Sequence, residues 1–185
     1  MNKPSLTTTA LAAAILAAAS VLVFSLTPHL FVWAAFIGWA SYDHSGATAQ
    51  AAVRSSAALV FGVITAWAVA AAATSGMIPL NATVATAACA GIASFFIVVA
   101  ARASILSVVP ATFYGFASTF AYLSLTPGAF TIQALTAPRL ENVLVTMPVS
   151  LLIGTGVGIA HAKLAGRLTP HTHVKLAQLV PLNRA

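Results

Sequence analysis

Polar residues punctuate this chain in clusters, and between the clusters lie long apolar runs. Four runs have about the 20 residues a helix needs to cross a hydrocarbon core: Leu6 to Leu26, Val53 to Thr74, Val84 to Ala100 and Val143 to Ala165. Two more are short or interrupted. Leu30 to Tyr42 falls below spanning length, and Ile105 to Leu125 carries Pro110 near its start. The pattern predicts an all-α polytopic membrane protein of about six segments, the second and fifth short or broken. One transmembrane domain then covers residues 1–165, followed by a basic cytoplasmic tail over 166–185.

The two irregular segments share a motif. The first contains FIGWASY, Phe36 to Tyr42; 77 positions later the second contains FYGFAST, Phe113 to Thr119. Each half of the chain thus reads as long segment, short segment, long segment, about 6–74 and about 79–165. An odd number of crossings per half turns the second half upside down, giving an inverted 3+3 repeat. Short or Gly/Pro-interrupted segments in matching places of such halves point to a transport path at the bilayer midplane.

At 100° per residue, Phe36, Trp39 and Ala40 share one face of a helix, with Gly38 and Ser41 opposite. Phe113, Phe116 and Ala117 repeat that face, against Gly115 and Ser118. Two readings follow. In one, the small faces are surfaces of close helix approach, with the aromatics filling space or facing lipid. Alternatively Phe36 and Phe113 are stacked aromatic plates that constrict a pore for small solutes of little charge.

Composition fits a bilayer: 60% of residues are hydrophobic and 5% charged, and the mean hydropathy is +0.98. Eight Lys and Arg face two acids, Asp43 and Glu141. No long basic face exists to follow a nucleic-acid backbone, so the excess reads as topology. With six crossings and a cytoplasmic N-terminus, Lys3, Arg54, Arg102, Lys163, Arg167, Lys175 and Arg184 lie inside, and Arg139 alone outside. Lys3 and the Ala-rich run after it resemble a signal peptide, but the apolar stretch continues through Phe24, past a usual h-region. It is read as a retained first helix. The single Cys89 excludes an intrachain disulfide.

Together, FVWAAFIGWASY and SILSVVPATFYGFASTFA resemble the bacterial inner-membrane family catalogued as domain of unknown function 1097, from about Leu6 to Ala165. That resemblance implies an inner-membrane location and no activity. Paired short helices bearing Phe are also similar, as a fold-level analogy, to those of urea channels.

Other constellations are weaker. SYDHSG gathers Ser41, Asp43 and His44, yet neighbours in sequence rarely converge as a catalytic triad. A polar helix end stopped by Gly46 is the simpler reading, with Asp43 pairing Arg54 across the loop. His171 and His173 lack a third metal ligand. Gly154 and Gly158 have a spacing that permits close helix approach. Neither acid falls mid-span, which favours passive conduction over coupled transport.

The expectation is a non-enzymatic channel or facilitator for urea or an amide, ammonia or a small monocarboxylate. Its path would run by Phe36, Gly38, Trp39, Ser41, Phe113, Gly115, Phe116 and Ser118, with Asp43, His44 and Arg54 at a mouth. Neither cofactor nor metal is implied. The partners are the lipid bilayer, the solute and further copies of the chain, guessed as a trimer. A secondary transporter and a non-transporting membrane subunit are the alternatives.

Overall fold

A computed structural model describes residues 4–169. Lys3, Lys175, Arg184, His171, His173 and all but the start of the basic tail lie outside these residues. The described chain is all helical, without strands: α1 (Leu6–Ser25), α2 (Val32–His44), α3 (Ala49–Thr74), α4 (Ala82–Ala100), α5 (Val109–Leu125), α6 (Ile132–Thr136) and α7 (Val143–Leu168). Of these, α1, α3, α4 and α7 are long and apolar enough to span a bilayer. The irregular segments become α2, with 13 residues, and α5, with 17.

The boundaries follow local chemistry. All four long helices start on a side-chain cap: Ser5, Thr48, Asn81 and Asn142 each accept a backbone N–H of the first turn, as short polar residues do at helix starts. Thr48 brings the start of α3 forward to Ala49, four residues before the apolar run begins at Val53. A 3₁₀ turn, Ser104–Leu106, precedes α5, and Pro110 sits in that helix's first turn, where a missing N–H costs nothing. The proline therefore starts the helix and does not break it. Gly46, with φ of +99°, ends α2 in the left-handed conformation that suits glycine.

The short helices have no side-chain cap of their own. In lipid an orphan N–H finds no water, so it must find protein. For α2 the partner comes from a neighbour: Phe31 N–H donates to Ser150 Oγ on α7 at 3.1 Å. In α5, Pro110 removes one of the orphan donors.

Helices α3 and α7 form the buried centre, each with a short helix laid along it, α5 on α3 and α2 on α7. Phe31 lies against Ser150, Ala35 against Gly154, and Trp39 against Gly158 and His161, so α2 and α7 run in the same direction. Outermost are α1, against α7, and α4, against α3. Their exposed Leu11, Ile15, Leu22, Ile92, Phe95 and Phe96 belong to an apolar belt suited to lipid.

Glycine sets both seams. A Cβ built at Gly38 would fall inside the backbone carbonyl of Leu151, and one at Gly154 inside that of Ala35. On the other seam, Gly115 meets the Leu59 carbonyl and Gly62 that of Thr112. One register relates the two sets, a shift of 77 positions on the short helices and 92 on the long ones. Such backbone-to-backbone approach is how helices adhere where no hydrophobic force separates protein from solvent.

The halves differ in one connection. Residues 45–48 join α2 to α3, whereas 126–142 join α5 to α7 through α6, which the apolar pattern did not predict. This longer link folds over one end of the bundle. Leu135 is buried in the core, its carbonyl accepts from Trp67 Nε1 and Asn142 Nδ2, and Tyr122 donates to the Glu141 carbonyl.

Candidate functional site

The two motifs lie on α2 and α5, and their small faces turn inward. Gly38, Ser41, Gly115 and Ser118 are all buried. Ala40 and Ala117 are exposed, and Phe36, Trp39, Phe113 and Phe116 are partly covered. In place of the expected stack of Phe36 on Phe113, the Phe36 ring packs on Trp39, centroids 6.3 Å apart, and Phe113 pairs with no described aromatic ring. The reason is helical phase: packing the glycine faces against α7 and α3 turns Phe36 and Phe113, on the opposite faces, away from the seams, while Trp39 at the edge of its face still reaches α7. In the second half, Phe116, Ala117 and Phe120 line an open apolar groove with Thr83, Thr86 and Ala90 of α4.

Hydroxyls run through the buried centre. Ser41, Ser55, Thr112, Ser118, Thr119, Thr146, Ser150 and Thr155 are each at least nine-tenths buried. Several serve their own helix: Thr119 donates to the Gly115 carbonyl, Ser150 to that of Thr146 and Thr155 to that of Leu151. Ser41 and Ser55 instead join each other across the α2–α3 contact at 2.7 Å. Ser118, the counterpart of Ser41, has a buried hydroxyl without a protein partner. The register explains this, because Met147 occupies the place in the second half that Ser55 holds in the first.

At the end of α2 the polar residues separate. His44 Nδ1 lies 3.1 Å from the Tyr114 hydroxyl of α5, which ties the two short helices together. Asp43 faces His161 of α7, Oδ2 to Nδ1 3.9 Å, and not Arg54 as sequence proximity suggested. Asp43 lies in the last turn of α2 on the side that faces α7, while Arg54 sits in the second turn of α3. His161 Nε2 lies 3.2 Å from the Thr9 carbonyl of α1, and the Trp39 ring packs on the imidazole at 5.0 Å. Nothing in the spacing of the sequence tied His161 to Asp43. At the other end of the same helix pair, His29 Nε2 stands 3.8 Å from Glu141, both well exposed. Each of the two acids therefore meets a histidine, one at either end of the α2–α7 seam.

Among the described residues no group of three or more His, Cys, Asp or Glu could hold a metal. A cavity of about 360 Å³ lies under the α6 link, lined by Tyr122, Leu135, Arg139, Glu141 and Asn142 among others. The family described as Protein of unknown function (DUF1097) matches residues 10–166 of this chain. No curated protein and no solved structure matches it.

Proposed function

This chain belongs to the DUF1097 family, whose description assigns no activity, and on that footing we propose that it is a passive channel or facilitator for a small polar solute. The path runs between the two motifs, past Ser41, Ser55 and Ser118, with Asp43, His44 and Arg54 at the inner mouth. The observation that carries the reading is Ser118. A hydroxyl buried in a membrane bundle without a protein acceptor is a loss the fold alone gives no reason to keep, whereas along a path it serves passing water or solute.

The architecture in this reading is an inverted 3+3 repeat of six crossings, with α1, α2 and α3 matched by α4, α5 and α7. Two facts support it: the glycine seams recur in one register, and the neighbours of each helix recur when the halves are exchanged. The acid–histidine contacts at opposite ends of α2 and α7 fit a short helix that crosses fully. In this reading both termini are cytoplasmic and the membrane is the bacterial inner membrane; the excess of basic residues on one side supports the orientation. Six short segments enclose little space, so the working form is a homo-oligomer, which we take as a trimer.

A non-transporting membrane subunit is the second reading, favoured by how tightly the glycine seams are shut. A coupled transporter is the third. Flux of urea, acetamide, ammonia and acetate into proteoliposomes, with and without an imposed ion gradient, separates them. Gradient-independent flux supports the channel, gradient-driven accumulation the transporter, and no flux above empty liposomes the subunit.

A further inference from the structure

We propose that Trp39, Asp43 and His161 form a binding site for a primary amide or urea at the inner end of the α2–α7 seam. This inference rests on the transport reading and narrows its solute. The fold does not require polar groups here. By the register of the glycine seams, the counterparts of Trp39, Asp43 and His161 are Phe116, Phe120 and Val69, all apolar. The first half therefore replaces two phenylalanines and a valine with an indole, a carboxylate and an imidazole, and they gather in one place.

Hydrogen-bond roles define the ligand. A carbonyl can only accept, so the contact with Thr9 fixes the His161 proton on Nε2. In the neutral ring Nδ1 is then a lone pair, and it faces the Asp43 carboxylate, another acceptor, at 3.9 Å. Two acceptors at that distance call for a donor between them. The Trp39 Nε1–H, on the same helix one turn before Asp43, is buried with no protein partner at hydrogen-bond distance. The site thus offers two acceptors and one donor. A primary amide or urea offers the complement, an NH₂ for the pair of acceptors and a carbonyl for the indole. A carboxylate would meet the charge of Asp43, and an ammonium would leave the indole N–H without an acceptor.

The full chain in lipid nanodiscs, with ¹⁵N-labelled tryptophan, gives three indole resonances, from Trp33, Trp39 and Trp67. Trp39→Phe identifies the one from Trp39. Titration with acetamide is expected to shift that resonance saturably, while methylammonium and acetate leave it in place. Asp43→Leu removes the acceptor at similar size and is expected to weaken acetamide binding by about tenfold or more, with the Trp33 and Trp67 resonances reporting an intact fold. The proposal is overturned if the wild-type Trp39 resonance ignores acetamide, if methylammonium or acetate shifts it equally, or if a folded Asp43→Leu variant binds as tightly. Saturable binding without amide flux would keep the site and remove the channel. Amide flux without a Trp39 shift would keep the channel and remove the site.

Discussion

Adding one methyl group at Gly38 tests how the bundle is held together. The new Cβ in Gly38→Ala would overlap the Leu151 carbonyl. That obstacle is backbone, so no rotamer change can clear it; α2 and α7 must part by about 1 Å or more to restore ordinary contact. Overpacking of this kind costs about 1 to 3 kcal/mol, offset in part by alanine's helix propensity, which favours it over glycine by up to about 1 kcal/mol. A net loss of about 1 to 2 kcal/mol is expected, and for a chain of this size each kcal/mol lowers the melting temperature by about 2 to 4 °C. Gly156→Ala on α7 is the control. Nothing lies within 4 Å of its Cβ, so it should be neutral or slightly stabilising. Gly154→Ala opens the same seam as Gly38→Ala, so the double variant should lose less than the sum of the two. Gly38→Ala with Gly115→Ala opens two seams and should be closer to additive. Thermal melts of purified protein in detergent, followed by size-exclusion recovery, read all of these. A Gly38→Ala variant as stable as Gly156→Ala would refute the seam.

Ser150→Ala should cost about 1 to 3 kcal/mol in the same melts, since it leaves the Phe31 N–H buried without an acceptor; unchanged stability would mean that water reaches the start of α2. A reporter active only in the periplasm, fused after Ala185, should stay silent, and strong activity would end the proposed topology.

Much of the helix layout was legible because the bilayer makes hydrophobic length a direct signal. The four long runs became α1, α3, α4 and α7, and the two doubtful ones became α2 and α5, displaced by a few residues at their starts. The start of α3 moved too, from Val53 to Ala49, because Thr48 caps it and hydropathy does not register which backbone donors need partners. The motif faces were also readable: glycine and serine in FIGWASY and FYGFAST turned inward, as small residues do at membrane helix contacts.

Which helix each face would meet was not readable. Gly38 against Leu151 and Gly115 against Leu59 pair residues far apart in the chain, and small residues carry no label for their partner. The sequence placed Asp43 near Arg54, whereas docking of α2 on α7 gave it to His161, more than a hundred positions away. The α6 link escaped because its stability comes from the Trp67, Tyr122 and Asn142 hydrogen bonds to its carbonyls, which do not follow an apolar pattern. Hydropathy and helical phase, both local, could therefore be read from the residues themselves; the partners across each seam, and with them the grouping of Trp39, Asp43 and His161, were decided only when whole helices docked.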